Sequence, residues 1–304
     1  MSNNPVFSIV IPTYNRGHTL PRAINSVIAQ SFTNFELIIV DDGSIDNTEE
    51  IVNGINDSRI VFFRQDNKGA PNARNTGIEI AKGYNIAFLD SDDSFYPYHL
   101  ENALPVLGIN SNICTYTQIL VDRGNNIFFL KPPRAYDSDE DISEYCLCDR
   151  GFVPTSTLIV PSDLAIRVKY DEESRSGNDM DFAIRLIHAG GKLVMLEKPG
   201  AIWYDQRVED RLSSLNNIEE RLAWLERNRK LITDKAYYGE QGWRIAKQYS
   251  QTGNVWLAIK LYIKALRKCC YKPKLAIVVI LQIIMSPHTY RKFADYLARI
   301  GVQP

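Results

Sequence analysis

Asn85-Ile86-Ala87-Phe88-Leu89-Asp90-Ser91-Asp92-Asp93 reads as a buried strand that delivers three carboxylates to its C-terminal end. Unbroken apolar character suits a strand covered on both faces, and open α/β sheets bind ligands at the carboxyl ends of their strands. A short Asp-x-Asp there suits a hard divalent cation, which takes one or two carboxylates and completes its shell from substrate phosphates. The same residues also make an acidic turn, since Asp and Ser favour turns. The surrounding sequence has to decide between the two.

Upstream, strand and helix alternate. Val6 to Ile11 is a fully apolar strand closed by Pro12-Thr13-Tyr14-Asn15, and His18 to Gln30 carries Leu20, Ala23, Ile24, Val27 and Ile28 at helical spacing. Phe35 to Val40 is a second strand ending in Asp41-Asp42-Gly43-Ser44. Thr48 to Ile55 is a short helix, Ile60 to Phe63 a third strand and Asn72 to Ala81 a third helix. This alternation predicts an α/β fold, a largely parallel, doubly wound sheet with right-handed crossovers. From Asn112 to about Tyr204, short strands at Ile113 to Val121, Asn126 to Leu130, Thr157 to Val160 and Lys192 to Leu196 surround a helix near Asp181 to Ala189. They predict an antiparallel extension that makes the single sheet mixed.

Beyond Val208 the pattern turns helical. Leu215, Ile218, Leu222, Leu225 and Ile232 trace one stripe. The series Ile245, Ala246, Tyr249, Gly253, Ala258, Tyr262, Ala265 has the small and aromatic spacing of one tetratricopeptide-like helix pair, or of a plain antiparallel helical hairpin. The domain reading is residues 1–205 as a catalytic α/β domain, its halves at about 1–100 and 101–205, and 206–304 as a basic helical region.

Charge is unevenly spread. From Gln241 to Pro304 there are eleven Lys and Arg against the single acid Asp295, whereas the preceding 240 residues hold 24 bases against 35 acids. The tail reads either as a face that rests on an anionic membrane surface or as a solvated basic surface around a core helix. Its apolar run, Leu275 to Met285, spans 11 residues, against the roughly 20 needed to cross a bilayer. The N-terminus shows no basic n-region or cleavage pattern, and the five scattered cysteines lack paired zinc spacing. The expected location is cytoplasmic, with the inner face of the membrane as a peripheral site. No nucleic-acid-binding motif is present, and oligomeric state is left open.

The usual phosphate devices are missing. Pro12-Thr13-Tyr14-Asn15-Arg16 stands where a Gly-rich turn would follow the first strand, and no GxxxxGK[ST] occurs. A polyanionic ligand would have to be neutralised through a cation.

With these pieces in order, the chain resembles the inverting family 2 glycosyltransferases of the GT-A fold, of bacterial polysaccharide and glycoconjugate type. The resemblance rests on Ser8 to Arg16, Asp41-Asp42-Gly43-Ser44, Asn67-Lys68-Gly69 with Ala73-Arg74-Asn75-Thr76-Gly77, Phe88 to Asp93, and Ser176-Gly177-Asn178-Asp179-Met180-Asp181-Phe182. It implies a UDP-sugar donor, Mn²⁺ or Mg²⁺, and a glycan or lipid-linked glycan acceptor. Pro12, Thr13 and Tyr14 would wall a slot for uracil, with Asp42 accepting its ring N–H. Arg16 and Arg74 would approach the diphosphate or pair with acids, and Asn67, Gly69 and Ser91 would complete the donor site. Asp92 would ligate the metal, Asp90 would contact the ribose or assist at the metal, and Asp93 would orient the loop. Asp179 would be the base that takes the acceptor proton during inversion.

Other residues carry structural readings. Ser44 is expected to serve the turn and cap the following helix, and Asp181 to be a first-turn acid. The chain departs from the family at Asn178, where Glu is usual, and at Trp203-Tyr204-Asp205, where a His often follows the Trp. Asp205 is a possible substitute ligand, and Trp203 a core aromatic or an acceptor platform. The QxxRW signature of processive synthases is absent, so transfer of a single sugar is expected. The competing readings are a nucleotidyltransferase acting on a sugar phosphate and a catalytically silent interaction protein.

Overall fold

The computed structural model describes residues 4–108, 112–174, 177–206 and 218–299. Ser176 of the fifth motif and Leu215 of the helical stripe lie outside them. The chain divides into two compact units, one of Met1–Arg123, Leu130–Pro132 and Val153–Gln206, the other of Gly124–Phe129, Pro133–Phe152 and Arg207–Pro304.

The first unit is built on β1 (Phe7–Thr13), β2 (Phe35–Asp41), β3 (Ile60–Arg64), β4 (Asn85–Phe88), β5 (Ser94–Phe95), β6 (Ile113–Asp122), β8 (Ile159–Pro161) and β9 (Lys192–Tyr204); the last two residues of β7 (Phe128–Lys131) also belong to it. The strands are ordered β3-β2-β1-β4-β8-β6-β9-β5 in one sheet. β1 to β4 are mutually parallel, β8 is antiparallel to β4 and β6, and β9 is parallel to β6. The mixed sheet expected from the sequence is therefore present. All seven residues of β1 are buried, as a central strand flanked on both sides requires. Each fully buried Ile, Val or Phe contributes roughly 1.5–3 kcal/mol.

Register decides which side chains meet at the carboxyl edge. Thr13 lies opposite Asp41, and Asp41 opposite Arg64. Val10 lies opposite Phe88, which brings the acidic run after β4 level with the end of β1.

Helices α1 (Leu20–Ile28), α2 (Thr48–Asn53), α3 (Ala70–Ile80), α4 (His99–Ala103), α6 (Ser162–Val168) and α7 (Asn178–His188) cover the sheet. The strand order steps outward from β1 to β3 and returns to β4. With right-handed crossovers, that reversal sends α3 to the face opposite α1 and α2.

Several expectations need adjustment. Residues Thr155–Thr157 form a 3-10 turn, so β8 starts two residues later than predicted. The strand predicted at Lys192 to Leu196 continues to Tyr204, with an irregularity between Thr117 and Ile119 on β6 absorbing the extra length. The helix predicted from Asp181 starts at Asn178, because Gly177 at φ 74° supplies a left-handed entry. Ser44 does not cap a helix: α2 begins at Thr48 after Asn47, and Ser44 instead donates to Asp41 and accepts from the Asn15 N–H.

The second unit contains α5 (Ile142–Cys148), α8 (Ile218–Arg227), α9 (Asp234–Glu240), α10 (Ala246–Gln251), α11 (Val255–Arg267), α12 (Pro273–Ile284) and α13 (Pro287–Arg299). A π-helical turn, Gln241–Ile245, joins α9 to α10, and the predicted helix pair is this long helix with α11. Ile245, Ala246, Ala258, Tyr262 and Ala265 are buried along it. Glu240, fully buried, accepts from Arg221 and from Arg244. Burial alone would raise its carboxyl, but the two guanidinium groups outweigh that and hold it below the usual range.

α3 packs closely against β1. A Cβ built on Gly77 would lie 2.3 Å from Cγ1 of Val10, a fully buried residue of a central strand. Gly77→Ala is expected to cost about 1–3 kcal/mol, read as a lower urea midpoint with an unchanged slope.

Candidate active site

The edge begins where β1 stops. Pro12 and Thr13 are buried, and the Tyr14 ring is 46% exposed. The Thr13 hydroxyl is buried without a hydrogen-bond partner, a state that native proteins seldom leave unexplained. Asn15, at φ 52°, turns the chain, and its side-chain oxygen accepts the Ile45 N–H at 2.8 Å. The carbonyl of Arg16 accepts the N–H groups of Thr19 and Leu20, which starts α1.

Asp42, buried at the end of β2, organises the neighbouring loop. Its carboxylate accepts from Gln65 Nε2 at 2.8 Å, the Lys68 N–H at 2.9 Å and the Gly69 N–H at 2.7 Å. Two carboxylate oxygens offer about four acceptor positions, so three bonds leave room for one more donor. Asn67 is exposed within this loop.

The third motif works through α3. Arg74 is buried, donates to Asp90 Oδ1 at 2.6 Å and lies over the Tyr170 ring at 5.2 Å. Asn75 pairs with the Tyr170 backbone in both directions, at 2.7 and 3.0 Å, and donates to Glu172 at 2.8 Å. Tyr170 stacks on Phe182 of α7 with ring centroids 4.0 Å apart. Burial alone would weaken the Arg74 charge, but Asp90, Tyr170 and Asp179 outweigh it and hold the guanidinium more firmly charged than usual.

Asp179 lies in the first turn of α7, near Arg74 and Asp90. Thr155 Oγ1 donates to its Oδ1 at 2.6 Å. Burial pushes the carboxyl above the ordinary carboxylate range and the Asp90 charge adds to the rise. Arg74 and the Thr155 hydrogen bond restrain it. Asp90 and Asp179, separated by 89 positions in the chain, thus share one electrostatic environment around a single arginine.

The acidic loop is fastened on several sides. Ser156 Oγ donates to Asp93 Oδ2 at 2.6 Å and accepts the Asp90 N–H at 3.2 Å. Arg22 of α1 donates to the Asp92 carbonyl at 2.6 Å, with its guanidinium 3.5 Å from the centroid of the Tyr204 ring. Ser91 and Asp93 are buried, and Asp92 is half-buried.

Among the described residues, no group of three or more His, Cys, Asp and Glu side chains could hold a metal ion by itself. Asp90 and Asp92 form an oxygen-only pair that fits a cation sharing its shell with a diphosphate. Asp205 is buried and ion-paired with Arg123 at 3.0 Å, so its charge is committed at the base of β9. Asp181 Oδ2 accepts from both Nε and Nη2 of Arg185, which also donates to the carbonyls of Val168 and Lys169. That is the structural use expected of a first-turn acid. Lys131 Nζ lies 5.2 Å from the Trp203 ring centroid.

Sequence reasoning missed Arg22, Thr155, Ser156 and Tyr170. Thr155-Ser156-Thr157 is a run of small hydroxyl residues with no periodicity, and the carboxylates that Thr155 and Ser156 bind, Asp179 and Asp93, lie more than 20 positions away. The one local signal that could have found it is the Pro-Thr-Ser-Thr composition, which suits a turn.

Residues 8–169 match the family described as Glycosyl transferase family 2. The chain is 26% identical over 257 residues to the amylovoran biosynthesis glycosyltransferase AmsB of Erwinia amylovora, covering 81% of this chain and 85% of that protein. It is 37% identical over 129 residues to the UDP-Glc:alpha-D-GlcNAc-diphosphoundecaprenol beta-1,3-glucosyltransferase WfaP of Escherichia coli, covering 41% and 51%. The crystal structure of S. aureus TarS 1-349 in complex with UDP-GlcNAc superposes with a TM-score of 0.61 at 19% identity, covering 97% of this chain and 92% of that one, a likeness of fold. Taken with the GT-A type sheet, the family match over more than half of its length makes this chain a member of glycosyl transferase family 2.

Proposed function

We propose that this glycosyltransferase moves one sugar from a UDP-sugar to a hydroxyl of a glycan or lipid-linked glycan, with inversion and with Asp179 as base. The observation that carries the reading is the Asp90–Arg74–Asp179 cluster at the carboxyl end of β4, beside a β1 edge with an unpartnered Thr13 hydroxyl. WfaP is named for UDP-Glc, and TarS 1-349 is in complex with UDP-GlcNAc, which supports a UDP-sugar donor.

In this reading residues 1–100 hold the donor and 101–205 the acceptor. Pro12, Thr13 and Tyr14 flank the base, Asp42 accepts its ring N–H at the remaining acceptor position, and Asn67 and Gly69 close the slot. Arg16 and Arg74 supply positive charge towards the diphosphate. Ser91 and Asp90 face the ribose, and Asp92 with Asp90 would hold Mn²⁺ or Mg²⁺. When bound, such a cation stabilises negative charge on the departing diphosphate. Asp179 takes the acceptor's proton as its hydroxyl attacks. A base is most effective when its pKa approaches the working pH, and burial beside Asp90 moves Asp179 in that direction. The Arg74 charge keeps the pair of carboxylates from repelling each other out of the site.

Asp179→Asn is expected to lower turnover about 10²–10⁴-fold while leaving UDP affinity within about twofold, the size of a minor perturbation on the RT scale. The same variant should melt higher than the wild type at neutral pH. A carboxyl whose folded pKa is raised loses stability as pH rises through the window between its unfolded and folded values. The gain should vanish below about pH 4, where both states hold the proton. Unchanged turnover, or a gain in melting temperature that persists in acid, excludes Asp179 as the base.

Thr155→Val removes a hydrogen bond that favours the ionised carboxylate. The acidic limb of the kcat–pH profile should move to higher pH, and a limb that stays in place would separate Thr155 from the base. Asp92→Ala should weaken Mn²⁺-dependent UDP binding in calorimetry and leave cation-free binding unaltered.

A further inference from the structure

The second unit carries a surface that the transfer reaction does not use. Trp256, Lys260, Ile263 and Arg267 recur on α11 at i, i+4, i+7 and i+11, which places them along one face of the helix. All four are exposed, Trp256 at 75% and Ile263 at 41%, while Ala258, Tyr262 and Ala265 fill the buried face. Lys260 Nζ lies 5.5 Å from the Trp256 ring centroid. Lys264 and Leu266 are exposed on the two flanks of that face, and Lys268 is exposed just past the end of α11. The connector then exposes Lys272, and the first turns of α12 expose Lys274, and Ile277 at 61%. Between Val255 and Lys274 there are six bases and no acid.

Three occupants compete for such a face. A second copy of the same chain would set one basic face against another, which like charge opposes. Single-stranded nucleic acid pairs bases with aromatic platforms, but Ile263, Leu266 and Ile277 offer no face for stacking. An anionic phospholipid leaflet satisfies both parts, since aliphatic and indole groups enter the headgroup boundary while Lys and Arg meet phosphate. Among the described residues, no helix is long and apolar enough to cross a membrane, so the contact lies on the surface.

We propose that the exposed face of α11, with the connector to α12, docks this protein on an anionic phospholipid leaflet. Trp256, Ile263 and Leu266 enter the headgroup region, and Lys260, Lys264, Arg267 and Lys268 meet the phosphates. The inference goes beyond the proposed function and does not rest on it. Its test reads lipid binding with no donor present, so either proposal can fail without the other.

The full chain is mixed with vesicles of about one-third phosphatidylglycerol in phosphatidylcholine, or of phosphatidylcholine alone, and followed by co-sedimentation and tryptophan emission. Binding is expected to the anionic vesicles, with a blue-shifted emission, and to fall at high salt. Each base near such a surface contributes about fivefold to partitioning. Lys260→Glu with Arg267→Glu should therefore weaken binding on the order of 30-fold or more. Trp256→Ala should abolish the blue shift at an unchanged melting temperature, since its side chain is mostly solvent-exposed. Equal binding to both vesicle types, no binding, or binding indifferent to these variants overturns the proposal. Self-association that Trp256→Ala removes, or tighter binding to an oligonucleotide than to the anionic vesicles, overturns it in favour of that occupant.

Discussion

The first unit depends on a buried arginine. Arg74 has its guanidinium against Asp90, over the Tyr170 ring and within the field of Asp179. A buried cation is tolerated only where opposing charge and hydrogen bonds replace its lost hydration. The site's acids therefore both use and require it. Without it, the Asp90 and Asp179 carboxylates would lie near each other with no cation between them.

This requirement reaches well beyond the cluster. Arg74 projects towards Asp90 because α3 lies close on β1, an approach that Gly77 permits. Asn75, one position on, captures the backbone of Tyr170 and so sets the ring beneath the guanidinium. That ring packs on Phe182 of α7, the helix whose first turn carries Asp179. The third motif thus sets the geometry of both carboxylates, although it contains neither.

The parallel strands were legible because apolar runs and helical spacing repeat without interruption over the first hundred residues, whereas their order in the sheet came only from the structure. Asp90 and Asp92 were picked out because they follow an apolar strand, whereas Asp42 and Asp179 took their roles from the family resemblance, position by position. Legibility failed where the signal was not periodic. The continuation of β9 through Pro199 and Gly200 breaks alternation, and the 3-10 turn at Thr155 has no apolar pattern. Ser44 looked like a cap because its residue type favours caps, whereas its neighbours in space made it a tie between β1 and β2.

By itself the sequence determined the mixed sheet, the helical C-terminal region, the family and the acidic residues at the strand ends, since burial and period follow from local composition. Tertiary structure alone decided what each acid faces. Asp205 is committed to Arg123, Asp181 to Arg185 and Asp93 to Ser156, while Asp90 and Asp179 converge on Arg74. A carboxylate's chemistry is set by the charges and donors within a few ångströms of it, and those come from elements far apart in the chain.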